Sequence, residues 1–251
     1  MGTGFDARGF TRLGTLIRPG ERARDEGSLA QQIGVQILSG ELAPGYVFPS
    51  EIDFAASIGI SRSVLREAFR VLIAKGLVES RPKTGTRVCA RRHWSLLDPD
   101  LLAWQFQAEP SAKFIHDLFE MRMMVEPAAA RLAASRRSAV DVEAMRAALA
   151  TMAEHGLADG RGRMADQQFH MTMLEATRND LIIALASSIM AAIAWTTIYK
   201  QRKRALPRDP VPDHRTLFDA IERADPQGAE AAMVDLIALA LVDTEVSLLD
   251  S

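Results

Sequence analysis

The chain has 251 residues, of which 48% are hydrophobic and 25% charged, a composition typical of a globular protein with a sizeable core. Its 16 glycines and 11 prolines are too few for a fibrous or wholly disordered chain, and the single cysteine, Cys89, excludes an intramolecular disulfide framework and predicts a reducing, cytoplasmic location. The net charge is −2, yet residues 1–92 carry 14 Lys and Arg against 9 Asp and Glu, while the remainder carries 16 against 23. This asymmetry predicts different partners for the two parts.

The N-terminal third predicts a small domain made of helices and one hairpin. Residues 1–27 show no sustained hydrophobic period and are predicted to form a loose arm. Residues 28–92 contain three helical segments, a tight turn at Gly59 between the second and the third, and two short strands within 77–88. Serines suited to be N-caps precede the three helices: Ser28, Ser50 and Ser61. This order is typical of a winged helix-turn-helix domain.

The third helix of this domain has two chemically different faces. Leu65, Phe69 and Leu72 recur at helical spacing and predict a buried side. Arginines and small hydroxyls occupy the other side, where they can bind base edges and phosphates of a major groove. The alternative is a solvated basic face, but here the basic residues coincide with a helix-turn-helix. We therefore predict DNA contacts from Ser61, Arg62, Ser63 and Arg66 in the helix and from Arg81, Lys83, Thr84 and Gly85 in the hairpin.

The rest of the chain predicts helices and no strands, so the fold class is mainly α. Residues 93–110 are predicted to be a linker with a short helix over 99–106, and residues 111–251 an all-helical bundle for effector binding and dimerisation. The uncharged segment 181–199 precedes a basic cluster, so a membrane helix is an alternative to a buried bundle helix. The predicted bundle helices are 111–135, 138–156, 160–177, 179–204, 213–224 and 226–248.

Several short motifs occur at spacings shared with a known family. They are Pro49-Ser-Glu51, Ile60-Ser-Arg-Ser-Val-Leu-Arg-Glu-Ala-Phe69, Lys75-Gly-Leu77 and Gly85-Thr-Arg-Val88 in the N-terminal domain, and Arg122-Met-Met-Val-Glu126, Asp166-Gln-Gln-Phe-His170, Asn179 and Asp213-His214 in the bundle. The first set resembles the GntR superfamily of bacterial repressors, and the second resembles its FadR-type effector domain, called FCD.

This resemblance covers about residues 28–245 and implies a dimeric transcription factor controlled by a small effector. The junction from Trp94 to Trp104 also resembles that of galactonate-type sugar-acid regulators. An arginine that the fatty-acid-responsive member has near the start of the second helix falls on Ile52 here, which implies a different operator. Because one helix reads only a few base pairs, we expect a homodimer on a palindromic site.

Three side chains of the bundle form a candidate metal site. Asp166 and His170 are four residues apart and project from one helical face, and His214 opens a later helix. This oxygen and nitrogen set suits a divalent transition metal such as zinc, although on spacing alone a histidine at the edge of an apolar face is more often a satisfied core or surface residue. The resemblance implies that these positions are metal ligands. It also implies a fourth histidine ligand, which is Leu236 here.

Arg122 is a candidate to bind a carboxylate effector. It occurs among Leu118, Val125 and Ala129 on the apolar side of its helix, and a buried arginine needs an anionic partner. That partner is either Glu126, four residues on, or the carboxylate of an effector. Further candidates for the effector site are Asn179, Trp195 and Thr197.

These features predict a repressor that a small carboxylic acid, such as a sugar acid, releases from DNA. The alternative from another class is a metalloenzyme using Asp166, His170 and His214 with Glu175 as base, although no HExxH motif or nucleophile with a paired histidine occurs. A third alternative is a DNA-coating protein, against which the acidic C-terminal part argues. A palindromic operator, a carboxylate effector and a second copy of the chain are the expected partners, and no membrane is expected.

Overall fold

A computed structural model describes residues 26–82, 84–203 and 208–249 of the chain. Within these ranges the fold is mainly α, as predicted, with eleven α-helices and one two-stranded sheet. The chain divides into two compact units, the first ending at Glu109 and the second beginning at Pro110. Of the predicted arm, residues 1–25 lie outside the described residues.

The first unit contains a helix-turn-helix followed by a hairpin. Its elements are α1 (Glu26–Leu38), α2 (Glu51–Ile58), α3 (Arg62–Ala74), β1 (Val78–Arg81), β2 (Gly85–Val88), a 3-10 turn (Arg91–His93) and α4 (Pro99–Gln107). The prediction of Ser28 as an N-cap was wrong, because α1 already includes Glu26 and Gly27. Burial of the apolar stripe that starts at Leu29 stabilises this helix, so a serine is tolerated inside it.

Three aromatic rings hold α2 against α3. The ring centroid of Phe48 lies 5.8 Å from that of Phe54 and 5.1 Å from that of Phe69, and all three side chains are buried. Such pairs add to the free energy that burial of the rings supplies. The predicted apolar side of α3, with Leu65 and Leu72, faces this core. The opposite side of α3 is therefore held outward.

The short helix α4 packs within the first unit. Trp104 of α4 lies so close to α1 that a Cβ on Gly34 would be 2.4 Å from its ring. The Lys75 ammonium donates hydrogen bonds to Asp98 and Asp100 at 2.8 Å, and these bonds outweigh the opposing effect of burial and raise the pKa of Lys75. The end of α3 is thus tied to the start of α4.

The second unit is a bundle of helices in the described residues from 110 onward. They are α5 (Ala112–Arg136), α6 (Ala139–His155), α7 (Gly160–Ala176), α8 (Asp180–Ile183), α9 (Ala186–Lys203), α10 (Val211–Glu222) and α11 (Pro226–Leu249). The prediction of one helix over 179–204 was wrong. The chain breaks at Ala184 and Leu185, where the Leu185 N–H bonds Ile182 at i−3. No glycine or proline marks this break, so the sequence carried no signal for it.

The bundle places α7 at its centre. α5 and α11 run antiparallel, since His116 pairs with Glu245 and Arg131 pairs with Glu230 near opposite ends of the two helices. α7 packs against α5, α6 and α9, and its buried side carries Phe169. Among the described residues, no helix is both long and apolar enough to cross a membrane.

Candidate functional site

The exposed face of α3 carries polar side chains at its N-terminal end. The Ser61 hydroxyl accepts a hydrogen bond from the Val64 N–H at 3.3 Å, which caps the helix, and it lies 2.9 Å from the Ser63 hydroxyl. Arg62, Ser63 and Arg66 are exposed, whereas the opposite side is buried. The predicted DNA-contacting residues of α3 therefore share one solvent-facing surface.

The turn between α2 and α3 sets the direction of this surface. Gly59 ends α2 with φ +70°, a left-handed conformation that glycine adopts without strain. The Arg66 guanidinium donates a hydrogen bond to the Glu51 carboxylate of α2 at 3.1 Å. Ile52, next to Glu51, is exposed. The start of α2 and the exposed face of α3 thus lie side by side.

The hairpin forms a second exposed basic surface in the first unit. Arg81 pairs with Gly85 across the strands, and Arg81, Thr84 and Gly85 are exposed. Lys83 lies outside the described residues. Glu79 binds Arg81 at 3.0 Å and Arg87 at 2.5 Å, and the hydrogen bond from Arg87 lowers the pKa of this carboxyl. Glu79 thus offsets part of the positive charge of the hairpin.

The three predicted metal ligands meet in the interior of the second unit. Asp166 and His170 lie one turn apart on α7, and His214 lies in the first turn of α10. The Nε2 atom of His214 is 3.0 Å from Asp166 Oδ1 and 3.2 Å from His170 Nε2. One ligand atom of each residue lies within 4.8 Å of the other two, and all three residues are buried.

The two histidines differ in what lies behind their rings. His214 Nδ1 lies 2.8 Å from the Pro210 carbonyl oxygen, so this nitrogen carries the proton and Nε2 presents its lone pair to the cluster. His170 Nδ1 faces Glu126 Oε2 at 3.4 Å without the alignment of a good hydrogen bond. An outer carbonyl or carboxylate of this kind is usual behind histidines that bind metal. The three atoms that converge, Asp166 Oδ1, His170 Nε2 and His214 Nε2, are of the kinds that bind a divalent metal ion.

Arg122 and Glu126 form a buried ion pair on α5. The Arg122 Nε donates to Glu126 Oε1 at 2.6 Å, and the side chains are 3% and 0% exposed. Burial alone would raise the pKa of Glu126, but the charge of Arg122, with His170 nearby, outweighs it and holds the pKa at about 2. The carboxylate is therefore ionised at neutral pH and compensates the buried guanidinium.

A small cavity of about 40 Å³, open to solvent, lies beside these residues. Arg122 lines this cavity and also binds Glu126. Both Glu126 and the carboxylate of an effector are therefore compatible with the structure as partners of this arginine. Leu236, 4% exposed, also lines it. Other polar groups at its wall are Asp166, His170, Thr196, Thr197, Lys200, Arg208, His214 and Asp243.

Three residues named from the sequence are not part of the cavity wall. The Asn179 side chain accepts hydrogen bonds from the N–H groups of Leu181 and Ile182 and thereby caps α8. Trp195 is half-buried and lies under the Arg202 guanidinium at 5.7 Å. Glu175, the base of the enzyme hypothesis, is exposed.

Two charged cavity residues, Lys200 of α9 and Asp243 of α11, were not predicted from the sequence as site residues, whereas Thr197, a predicted candidate, does line the cavity. Lys200 belongs to the basic cluster that follows residues 181–199, yet it is buried and lines the cavity. A signal was available, because Ile193, Thr196, Thr197 and Lys200 follow the i, i+3, i+4, i+7 spacing of one helical face. Asp243, on the last helix, had no such signal.

Comparisons with known proteins agree with both units. A family model described as "Bacterial regulatory proteins, gntR family" matches residues 25–88, and a model described as "FCD domain" matches residues 117–239. The galactonate operon transcriptional repressor of Escherichia coli (strain K12) is 31% identical over 208 residues, 82% of this chain and 90% of that protein. The HTH-type transcriptional regulator LutR of Bacillus subtilis (strain 168) is 30% identical over 204 residues, 79% and 91% of the two chains.

A solved structure shows the same fold at low sequence identity. It is that of Lar, described as controlling the expression of the Listeria monocytogenes agr system, with a TM-score of 0.61 and 17% identity over 88% of this chain and 96% of that chain. The relatives are regulators of transcription, and the metalloenzyme hypothesis finds no support among them. The chain belongs to the GntR family of bacterial transcriptional regulators, with an FCD domain as its second unit, and is a DNA-binding regulator of transcription rather than an enzyme.

Proposed function

We propose that this regulator is a cytoplasmic repressor that a small carboxylic acid releases from its operator. The observation that carries the proposal is the cavity of the second unit, in which a buried arginine and a candidate metal cluster face the same space. Both groups attract a carboxylate. A relative named as the repressor of a galactonate operon supports a sugar acid as the effector class.

Asp166, His170 and His214 would hold a divalent transition metal, zinc in our proposal. The donor set of one carboxylate and two imidazoles suits zinc, and the Pro210 carbonyl behind His214 orients that imidazole for it. When bound, the metal supplies a positive charge and open coordination positions for an anionic group. Arg122 remains beside it to bind or orient the same acid.

The leucine in place of the family's fourth ligand gives a direct test of the metal site. Leu236→His is expected to tighten zinc binding at least about tenfold, because a fourth nitrogen ligand would complete the tetrahedral set that zinc prefers. Zinc affinity is measured on the full chain by competition with a chromophoric chelator. Leu236→Met is the matched control, since it fills the same space without a ligand nitrogen. Equal zinc affinity in both variants would contradict the metal site.

For DNA binding, we propose contacts by Ser61, Arg62, Ser63 and Arg66 of α3 and by Arg81, Lys83, Thr84 and Gly85 of the hairpin. Two copies of the chain would place two such surfaces on a palindromic site, with a homodimer as the binding species. Sedimentation velocity on the full chain, with and without selected DNA, measures this stoichiometry.

Arg62→Ala is expected to weaken binding to a selected operator about 5- to 150-fold, the equivalent of about 1–3 kcal/mol for one bidentate base contact. The fold should remain intact, because Arg62 is exposed and lies opposite the buried side of α3. Fluorescence anisotropy at fixed salt measures the affinity. Arg215→Ala, which removes an exposed arginine from α10, controls for loss of one positive charge. Equal effects of the two substitutions would remove α3 from the proposed contacts.

A further inference from the structure

One face of α9 lines the cavity with one apolar and three polar side chains. Ile193, Thr196, Thr197 and Lys200 all line the cavity, and their spacing places them on the same side of the helix over two turns. The Thr196 hydroxyl is satisfied within α9, because it donates to the Ala192 carbonyl at 2.7 Å. Lys200 is therefore the one charged residue among the four on this face of α9.

Lys200 presents a buried ammonium group to the cavity. It is 8% exposed and makes no hydrogen bond with any residue that the structure describes. Burial lowers the pKa of Lys200 to about 8, against the opposing charge of Asp243. Because Lys200 lines the cavity, a ligand group bound there can accept hydrogen bonds from its ammonium.

Asp243 of α11 brings a carboxylate to the same cavity. Its Oδ2 lies 3.0 Å from the Arg208 Nε, and Arg208 is shared with Asp213. In the described part of the chain no ion pair joins Lys200 to Asp243, although both line the cavity. A donor, Lys200, and an acceptor, Asp243, therefore face the same space, and Asp243 also pairs with Arg208.

We propose that Lys200 and Asp243 bind hydroxyl groups of the effector and select hydroxylated acids over plain carboxylic acids. A hydroxyl group both accepts and donates a hydrogen bond, so it can accept from the Lys200 ammonium and donate to the Asp243 carboxylate. A second carboxylate at this position would be repelled by Asp243, and an alkyl chain could neither accept a hydrogen bond from Lys200 nor donate one to Asp243. This inference rests on the proposed function, in which Arg122 and the metal bind the carboxylate of the effector.

The test uses four acids with six carbons each on the zinc-loaded full chain. D-galactonate has hydroxyls and one carboxylate, galactarate has hydroxyls and two, hexanoate has one carboxylate alone, and adipate has two. Isothermal titration calorimetry should show that galactonate binds at least about tenfold more tightly than hexanoate and more tightly than galactarate. Sites built to bond a hydroxyl reject analogues that lack it by large factors.

The substitutions Lys200→Met and Asp243→Asn then assign the selectivity. Each should weaken galactonate binding at least about tenfold and change hexanoate binding less than about threefold, while circular dichroism and zinc affinity stay as in the unsubstituted chain. A preference for adipate, or equal losses for galactonate and hexanoate, would overturn the inference. If none of the four acids binds the unsubstituted chain, both the proposed function and this inference fail. If the acids bind and both variants keep the original selectivity, only the role of Lys200 and Asp243 fails.

Discussion

Arg122→Ala is expected to lower the free energy of unfolding by about 3–5 kcal/mol, the usual loss when one partner of a buried ion pair is removed. The substitution would leave Glu126, which is 0% exposed, without its guanidinium partner. The pKa of Glu126, now held at about 2, would rise toward protonation in the folded variant. Urea and thermal unfolding of the full chain measure this loss of stability. The measurement separates a destabilised variant from one that has lost its response to the effector.

A double substitution separates the structural from the binding role of this arginine. Arg122→Met with Glu126→Gln removes both charges and should recover most of the lost stability, because the uncompensated carboxylate is gone. The double variant should still fail to bind the effector, since the guanidinium is absent from the cavity. A double variant that is as unstable as Arg122→Ala would contradict the ion pair as the cause.

His214→Ala is expected to weaken zinc binding by more than about 100-fold. Loss of a group behind a metal ligand commonly costs about 10- to 100-fold in affinity, and loss of a ligand should exceed this. His214 supplies the nitrogen nearest to Asp166, at 3.0 Å, and its ring is oriented by the Pro210 carbonyl. Chelator competition measures the zinc affinity of the full chain.

His116→Ala serves as the comparison for this substitution. His116 is exposed and pairs with Glu245 at the surface, so its removal takes away one imidazole and leaves the cluster untouched. Zinc affinity should then equal that of the unsubstituted chain. If His214→Ala and His116→Ala bind zinc alike, zinc does not use the cluster.

The first unit and its exposed face were largely predictable from the sequence. The serine caps at Ser50 and Ser61, the turn at Gly59 and the apolar spacing of α3 are local signals, and each has a physical effect within a few residues. Ser28, expected to cap α1, instead lies inside that helix, where a serine gives no local sign of where the helix begins. The local signals thus predicted the elements of this unit and two of the three serine caps, those at Ser50 and Ser61.

The site in the second unit was predictable only in part. Asp166 and His170 share a helix, so their spacing alone placed them together, whereas His214 was joined to them through the family resemblance. Lys200 and Asp243 come from helices that are distant in sequence, and only the packing of α9 and α11 brings both to the cavity. The two partners considered for Arg122 could not be separated, because the guanidinium both binds Glu126 and lines the cavity.

The central claim is that an acid bound in the cavity weakens DNA binding. It is tested by measuring the affinity of the zinc-loaded full chain for DNA selected from a random pool, at fixed salt, with and without saturating D-galactonate. We expect the acid to weaken DNA binding about 5- to 150-fold, the usual range for coupling between two sites, and the DNA to weaken acid binding by the same factor. An unchanged affinity for DNA, while calorimetry shows the acid bound, would contradict the account.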